Sequence, residues 1–294
     1  MADVIRQAVE LVPSMKKSAV VFQGEPGAFS WTAAGKLLKA LGRQTEAVAK
    51  PTFGEVFEAV RRGSAQFAVI PIENTLYGSV HENYDHLLTY GFPIVAETTV
   101  RIEHNLIALP GVGWRQIRKA YSHPVALGQC RRFFEKHPRI EPIPFYDTAG
   151  SVKMLAEEKR RDAGAIASSA AAALYGGHIV KANIEDHRQN FTRFFLLSKQ
   201  PRKDRNGAAP WKTSVVFSAP NIPGALFRAL ACFALRDLSL TKIESRPLRE
   251  KPWEYLFYVD ISGDSKTPAV QKALKNLEEV STFVKVLGTY QPVE

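Results

Sequence analysis

The stretch AVVFQGEPGAFSWTAAGKLLKAL, residues 19–41, decides the fold class because it holds a complete strand, turn and helix. Residues 19–22 are a short apolar run typical of a buried strand, residues 24–27 supply the glycines and proline of a turn, and residues 31–41 are rich in Ala and Leu. Further strands are predicted at 67–72, 93–109, 119–122, 143–146, 163–167 and 192–197. This alternation predicts parallel sheets with helices on both faces, and hence an α/β fold.

A second helix is predicted from residue 53 to Gly63. Thr52 and Glu55 have the spacing of a capping box, in which a hydroxyl accepts a backbone hydrogen bond at the start of a helix. Apolar residues recur at positions 53, 56, 57 and 60, so the helix has one face suited to burial.

The segment LSKQPRKDRNGAAPW, residues 197–211, interrupts the alternation with Pro, Gly and charge. We therefore expect a main domain over residues 18–198, a linker over 199–212, a C-terminal domain over 213–294, and an extension without motifs over 1–17. In the C-terminal domain the patterns predict strands at 213–218, 239–244, 254–261 and 283–289 and helices at 224–236 and 268–280. The order strand, helix, strand, strand, helix, strand is ferredoxin-like, which by itself says nothing about function.

Composition narrows the possible partners. The 294 residues are 45% hydrophobic, enough for a sizeable core, and carry a formal net charge of +10. No basic stripe with interleaved aromatics appears, so we expect no nucleic-acid partner, although positive potential favours an anionic substrate. No apolar run is long enough to cross a bilayer and no secretory signal is apparent, so we expect no membrane partner and a cytoplasmic location. Cys130 and Cys232 lie in apolar segments far apart and are predicted to be buried free thiols.

Polar residues follow several predicted strands, where ligands bind in open α/β sheets. Amide, carboxylate and hydroxyl groups cluster after the strand at 67–72, and a second group surrounds the strand at 119–122. Hydroxyls with small neighbours at two helix starts suit carboxylate binding by backbone amides, and they suit helix capping equally well. The candidate binding residues are Glu73, Asn74, Thr75, Ser122, Gln129, Thr148, Ala149, Gly150 and Ser168.

The last predicted strand of the main domain opens with Thr192, Arg193 and Phe194. An Arg between aromatic residues offers a bidentate clamp for a carboxylate, and the adjacent Thr hydroxyl can donate a hydrogen bond to a departing oxygen. The sequence has no P-loop, GxGxxG, GxSxG or HExxH motif and no clustered Cys and His ligands. We therefore expect no cofactor and no metal, and a site suited to a small polycarboxylate.

These segments together resemble the prephenate dehydratases. The matching elements are GEPGAFS at 24–30, PIENTLYGSV at 71–80, HPVALGQC at 123–130, DTAG at 147–150 and NFTRF at 190–194. Val125 departs from the Gln of many relatives. The resemblance implies two doubly wound α/β lobes like those of type 2 periplasmic binding proteins, with lobe 1 at about 18–97 and 181–198 and lobe 2 at about 98–180.

Beyond the linker the chain resembles ACT regulatory domains, and Phe227 stands where Val is usual. The family's GAL and ESRP motifs are matched by Gly224, Ala225 and Leu226 and by Glu244, Ser245, Arg246 and Pro247. The resemblance implies that these residues bind the effector L-phenylalanine at an interface between ACT domains, and that the protein is a homodimer or homotetramer.

The activity implied by the resemblance is conversion of prephenate to phenylpyruvate with loss of water and CO₂, a carbon–oxygen lyase reaction of phenylalanine biosynthesis. Thr192 would donate to the leaving hydroxyl, Arg193 would hold a substrate carboxylate, and Phe194 would shield the ring from water. Two alternatives remain. Arogenate dehydratase uses the same scaffold on a substrate with an amino group, and a two-lobed protein with an ACT module can be a non-catalytic amino-acid sensor.

Overall fold

A computed structural model describes residues 19–43, 45–201, 210–248 and 253–293. The predicted extension at 1–17 and most of the predicted linker lie outside these residues. The strands are β1 (Val20–Gln23), β2 (Ala47–Lys50), β3 (Phe67–Asn74), β4 (Gly78–Ser79), β5 (Ile94–Arg101), β6 (Asn105–Ala108), β7 (Lys119–Ser122), β8 (Glu141–Pro144), β9 (Ala163–Ala167), β10 (His178–Lys181), β11 (Phe191–Ser198), β12 (Lys212–Ser218), β13 (Leu240–Pro247), β14 (Tyr255–Ser262), β15 (Phe283–Tyr290) and β16 (Pro292–Val293). The α-helices are α1 (Phe29–Ala40), α2 (Phe53–Arg62), α3 (His81–Tyr90), α4 (Pro124–Gly128), α5 (Arg131–Lys136), α6 (Thr148–Glu157), α7 (Ser169–Leu174), α8 (Ala225–Ala234) and α9 (Pro268–Val280).

The main domain has two α/β lobes, each built on its own mixed sheet. The sheet of lobe 1 has the order β16-β5-β11-β3-β1-β2, with β4 paired to β3. The sheet of lobe 2 has the order β10-β6-β9-β7-β8. The two-lobed α/β fold is therefore as expected.

The predicted parallel arrangement does not extend to the strands by which the chain changes lobe. β1 runs parallel to β2 and β3, but β11 runs antiparallel to β3 and β5. In lobe 2, β6 is antiparallel to β9 and β10. The predicted continuous strand at 93–109 is in fact β5 and β6, which belong to different sheets. The chain crosses between the lobes at 102–104 and returns between β10 and β11 without a crossover helix, so these strands need not be parallel to their neighbours.

Helix α2 forms as its sequence predicts. Thr52 lies at the N-cap, where its hydroxyl accepts a hydrogen bond from the backbone N–H of Glu55 at 3.2 Å. Gly63 ends the helix with a φ of 77°, a left-handed conformation that glycine adopts without strain. The apolar positions 56, 57 and 60 are all buried.

The C-terminal domain has the predicted ferredoxin-like order. Its four antiparallel strands follow the order β13-β14-β12-β15, and α8 and α9 lie between them in sequence. Its core includes Phe217, Phe233 and Leu277, each fully buried. Cys232 in this domain and Cys130 in lobe 2 are buried free thiols, as predicted.

The C-terminal domain and lobe 1 share one apolar cluster. Ile70 and Phe195 of lobe 1 belong to the same cluster as Leu287 and Tyr290 of β15. The backbones also approach closely, because a Cβ at Gly288 would overlap the carbonyl oxygen of Ile94. Beyond β15, the strand β16 adds to the edge of the lobe 1 sheet by pairing with β5. The shared burial of apolar surface fixes the C-terminal domain against the main domain.

Among the described helices, none is long and apolar enough to span a bilayer. The described residues also contain no group of three or more His, Cys, Asp or Glu side chains arranged to hold a metal ion.

Candidate active site

A cavity of about 670 Å³ lies between the two lobes. Lobe 1 contributes the carboxyl ends of β1 and β3, the start of α2 and the start of β11, and lobe 2 contributes the segment around α4 and the start of α6. The cavity is lined by Gln23, Phe29, Pro51, Thr52, Phe53, Pro71, Asn74, Tyr77, Gly78, Ser79, Val80, Glu82, Ile102, His104, His123, Val125, Ala126, Gln129, Thr148 and Thr192. Four of the predicted site residues are in this lining: Asn74, Gln129, Thr148 and Thr192.

Asn74 and Thr192 meet at one wall because they are paired across β3 and β11. The amide nitrogen of Asn74 donates to the Thr192 hydroxyl oxygen at 2.9 Å and to the Asn190 amide oxygen at 2.8 Å. The amide oxygen of Asn74 accepts from the backbone N–H groups of Leu76 and Tyr77 at 2.9 and 3.0 Å. Asn74 is therefore held from both ends, and its orientation is fixed by these partners.

The Thr192 hydroxyl is consequently oriented as a donor. Its oxygen accepts from Asn74, and the described part of the chain offers no acceptor for its hydrogen. A hydroxyl has one hydrogen to donate, so this hydrogen is available to a ligand in the cavity.

Thr75 supports this wall without lining the cavity. Its hydroxyl accepts from the backbone N–H of Phe191 at 3.0 Å and donates to the carbonyl of Gln189 at 3.0 Å. These bonds join the turn after β3 to the start of β11, next to Thr192. Thr75 therefore supports the cavity wall, and the prediction that it binds the ligand directly is corrected.

On the opposite wall, Gln129 is paired with His104, which our sequence analysis did not single out. The His104 Nε2 lies 2.6 Å from the Gln129 amide oxygen, and both residues are buried. The ring of His104 also packs edge-on against Phe29 at a centroid distance of 5.8 Å. Interpreting 93–109 as one strand concealed His104. The polar residues from Arg101 to Asn105, which interrupt that apolar stretch, were the signal that a strand ends there.

Thr148 lines the cavity at the start of α6, where Asp147 is the N-cap. The Asp147 carboxylate accepts from the backbone N–H of Gly150 at 2.8 Å. Burial nevertheless raises the pKa of the Asp147 carboxyl above its usual value, against the opposing effect of that hydrogen bond. Ala149 and Gly150 are buried behind Thr148 and do not line the cavity, so their predicted contact with a ligand is not supported.

Two predicted serines have other partners. The Ser122 hydroxyl is fully buried and donates to the carbonyl of Ile166 at 2.6 Å, which joins β7 to β9. The Ser168 hydroxyl donates to the carbonyl of Gly27 at 2.6 Å and accepts from the backbone of Ala171, which joins α7 to lobe 1. Both hydroxyls are used within the protein, so their assignment as substrate ligands is corrected.

Arg193 faces away from the cavity, contrary to the predicted carboxylate clamp. Its guanidinium bonds Glu97 at 2.7 Å and Asp260 of the C-terminal domain at 2.6 Å, and it lies 3.3 Å from the Tyr290 hydroxyl. Although burial lowers the pKa of the Arg193 guanidinium, the charges of Asp260 and Glu97 outweigh this and raise it. Glu97 is also paired with Lys212, so the cluster joins lobe 1 to the C-terminal domain.

Glu73 and Phe194 are likewise removed from the cavity. The Glu73 carboxylate pairs with Lys242 of β13 at 2.8 Å, on the same side of the sheet as Arg193. Phe194 is 1% exposed and belongs to an apolar cluster with Phe22 and Leu37 of α1. It stabilises the core behind the cavity, and the prediction that it walls a substrate ring is corrected.

The two C-terminal motifs lie on different elements. Gly224 precedes α8 with a φ of 77°, and Ala225 and Leu226 open that helix. Glu244, Ser245, Arg246 and Pro247 end β13. No hydrogen bond joins the two motifs among the described residues.

Alternate residues of β13 face lobe 1. The Glu244 carboxylate accepts from the hydroxyl of Ser79, which lines the cavity, and Arg246 pairs with Asp85 of α3 at 3.3 Å. Although burial raises the pKa of the Glu244 carboxyl, its bond to Ser79 and the charge of Lys242 outweigh this and lower it. Ser245 and Pro247 face solvent.

Known proteins resemble both parts of the chain. The family model described as prephenate dehydratase matches residues 20–202, and the model described as ACT domain matches residues 213–279. Arogenate dehydratase/prephenate dehydratase 2, chloroplastic, from Arabidopsis thaliana is 43% identical over an alignment that covers 98% of this chain and 76% of that protein.

Two solved structures superpose on most of the chain. Prephenate dehydratase from Arthrobacter aurescens in complex with L-Phe is 31% identical with a TM-score of 0.83, over 93% of this chain and 90% of that one. GqqA, described as a novel type of quorum quenching acylase, is 32% identical with a TM-score of 0.83, over 93% of this chain and 98% of that one. The chain is therefore a member of the prephenate dehydratase family that carries a C-terminal ACT domain.

Proposed function

We propose that this protein converts prephenate to phenylpyruvate, with release of water and CO₂. The observation that carries the proposal is the Thr192 hydroxyl, which Asn74 orients as a donor at the wall of the cavity between the lobes. Breaking the ring carbon–carboxylate bond supplies the electron pair that completes the aromatic ring and expels the ring hydroxyl. Hydroxide leaves as water after taking up one proton from solvent.

Thr192 is assigned to the leaving hydroxyl. A hydrogen bond aimed at an oxygen that gains negative charge stabilises the transition state more than the ground state. The Thr hydroxyl is too weak an acid to give up its proton outright, so it donates a hydrogen bond while solvent supplies the proton. Aromatisation provides the driving force, and the rest of the site has to orient the substrate.

The two substrate carboxylates are assigned to helix starts, in place of Arg193. Residues at the beginning of α2 (Thr52 and Phe53) and at the beginning of α6 (Thr148) line the cavity. The helix dipole and the backbone N–H groups that Thr52 and Asp147 do not already cap favour anions at such positions. The net charge of +10 adds a general attraction for a dianion.

A direct test is to mix the purified protein with prephenate and with arogenate in separate reactions. We expect phenylpyruvate from prephenate. Release of phenylalanine from arogenate at higher kcat/KM would instead favour the second candidate, arogenate dehydratase, which the name of the Arabidopsis relative supports. If neither product forms, a non-catalytic amino-acid sensor becomes the better proposal.

The likeness to GqqA raises acylase chemistry as a further possibility for this fold. A hydroxyl nucleophile needs a base within hydrogen-bond reach. The partner of Thr192 is the Asn74 amide nitrogen, which is a donor and accepts no proton. This geometry favours the dehydratase.

L-phenylalanine is proposed as the effector of the ACT domain, because the Arthrobacter relative was solved in complex with L-Phe. The link between Glu244 and Ser79 offers a route from the ACT domain to the cavity. Titrating L-phenylalanine against the steady-state rate tests this, and a rate unchanged at millimolar effector would remove the regulatory role. A homodimer or homotetramer through ACT domains and a cytoplasmic location stay predictions, and the Arabidopsis relative is named chloroplastic.

A further inference from the structure

His104 and Gln129 are two buried polar residues on the cavity wall opposite Thr192. His104 is 1% exposed and Gln129 is 6% exposed, and both line the cavity. Their single mutual contact is the 2.6 Å approach of the His104 Nε2 to the Gln129 amide oxygen. Each side chain has one further polar atom that takes no part in this contact. Within the described residues, the His104 Nδ1 is buried without a hydrogen-bond partner, and the Gln129 amide nitrogen has no partner either.

The chemistry of the contact fixes the state of the ring. An amide oxygen only accepts hydrogen bonds, so the His104 Nε2 must carry the hydrogen. Burial lowers the pKa of the His104 imidazole, against the opposing effects of the Gln129 hydrogen bond and the charge of Glu185, so the ring is neutral at pH 7. The neutral ring then has a lone pair at Nδ1 and a hydrogen at Nε2.

The backbone around His104 holds the ring in this position. The backbone N–H of His104 donates to the Glu185 carboxylate at 3.0 Å, and its carbonyl accepts from the backbone of Ile184 at 2.8 Å. The carbonyl of Gln129 accepts from the backbone N–H of Asp186 at 2.7 Å. Both residues are thus fixed to the same return segment, 184–186, which leads the chain from lobe 2 to β11.

We propose that His104 is a positioning residue of this site, which holds the Gln129 amide so that its N–H₂ group faces the cavity as a donor to a substrate oxygen. The proposal rests on the proposed function for the identity of the substrate. Gln129 would be the residue that touches substrate, and His104 would act only through it. Because His104 occupies the amide oxygen, Gln129 presents its N–H₂ group to the cavity as a donor and presents no acceptor. Such a donor suits a carboxylate, hydroxyl or keto oxygen of the substrate.

Two substitutions at His104 distinguish the roles of its two ring nitrogens. The amide nitrogen of Gln can take the place of the imidazole Nε2, whereas that of Asn lies nearer the place of Nδ1. We expect His104→Asn to lower kcat/KM for prephenate by about 10- to 100-fold, as when a residue that orients a ligand group is lost. We expect His104→Gln to recover kcat/KM to within about fivefold of the unmodified protein. Equal losses in both variants would contradict the proposal.

A double-mutant cycle tests whether His104 acts through Gln129. Gln129→Met keeps the length of the side chain and removes its amide. In the Gln129→Met background, His104→Asn should change kcat/KM by less than about threefold, because the group that it orients is already gone. Losses that multiply independently would mean that His104 has a separate structural role, and would overturn the proposal.

A measurement without turnover tests the ring directly. In protein labelled with ¹⁵N-histidine, we expect the His104 ring to show a protonated Nε2 and an unprotonated Nδ1 at pH 7, with the signals assigned by their loss in His104→Gln. A hydrogen at Nδ1 instead would place the Gln129 nitrogen against His104 and its oxygen toward the cavity, and would overturn the proposal. Turnover of prephenate by the unmodified protein tests the proposed function separately from the role of His104. If no turnover is observed, the proposed function is contradicted whatever the tautomer of His104.

Discussion

The two faces of β3 and β11 differ sharply in chemistry although they belong to the same pair of strands. On the cavity face, Asn74 and Thr192 are neutral and bonded to each other. On the opposite face, Glu73 and Arg193 are charged and pair with Lys242 and Asp260 of the C-terminal domain. The charges of these strands therefore hold two domains together, and the neutral Thr192 hydroxyl is left as a donor for the ligand.

Adjacent residues of one motif therefore serve different functions. Successive side chains of a strand point to opposite faces, so Thr192 and Arg193 cannot both face the same cavity. Removing one member of a buried ion pair strongly destabilises the folded protein, whereas a neutral hydroxyl can stay unpaired until a substrate binds. Substitutions on the two faces should consequently affect different measurements.

The largest effect on turnover is expected from Thr192→Ala, on the cavity face. Loss of a donor aimed at the leaving oxygen should lower kcat by about 10²- to 10³-fold, with a small change in the free energy of unfolding. Thr192→Ser, which keeps the hydroxyl, is the matched control in steady-state assays with prephenate. If kcat for Thr192→Ala stays within about tenfold while KM rises, Thr192 binds substrate without acting on the leaving group.

The second effect is expected from Arg193→Ala, on the domain face. Removing Arg193 leaves Glu97 and Asp260 buried with one partner fewer, so the free energy of unfolding should fall by about 3–5 kcal/mol. Denaturant titration measures this, and Asp260→Asn should destabilise in the same direction. A normal unfolding midpoint combined with a large rise in KM would mean that Arg193 binds a substrate carboxylate and does not hold the domains together.

A third substitution, Gly288→Ala, tests the domain contact without touching any charge. The new methyl group would overlap the backbone of Ile94, and overpacking of this kind costs about 1–3 kcal/mol. Gly35→Ala in α1 is the control, because its methyl meets no atom within 4 Å and Ala favours a helix interior. Thermal unfolding should show a lower Tm for the first variant and an unchanged or higher Tm for the second.

The smallest effect is expected at Asp147, a buried carboxylate at the start of α6, beside the cavity-lining Thr148. The pKa of the Asp147 carboxyl is raised in the folded protein, so the folded state holds this proton more tightly than the unfolded state. The folded state therefore loses stability as pH rises from the pKa of the unfolded state through the higher pKa of the folded state. Asp147→Asn can still cap α6 but carries no charge, so it should gain stability relative to the unmodified protein at pH 7 and not at pH 3. A loss that grows with pH, measured by Tm, would mean that the carboxylate charge stabilises the fold.

The fold was largely predictable because its signals are local. The capping residues of α2 and the strands β7 and β9 lie where the sequence predicts them. The crossing between lobes was not predictable in this way, because β5 and β6 are both apolar and only their pairing partners separate them. His104 was missed for the same reason.

Cavity-lining positions were predictable where they lie at or next to the ends of predicted strands and helices. Asn74, Gln129, Thr148 and Thr192 line the cavity as expected. Ser122 and Ser168 do not, because their acceptors are carbonyl groups distant in sequence. The alternation of side chains along a strand was sufficient to place Arg193 on the face opposite Thr192. Its partner Asp260 could not be predicted, because it depends on how the C-terminal domain packs against lobe 1.

The apolar cluster shared by lobe 1 and β15 means that the ACT domain is not an interchangeable module. Tyr290 is fully buried against Phe195, with ring centroids 5.7 Å apart, and Tyr258 packs on Tyr84 at 4.8 Å. A fragment ending at Ser198 would expose these aromatic surfaces to water and tend to aggregate. Grafting this regulatory unit onto a foreign enzyme would require a recipient surface that reproduces the same aromatic contacts.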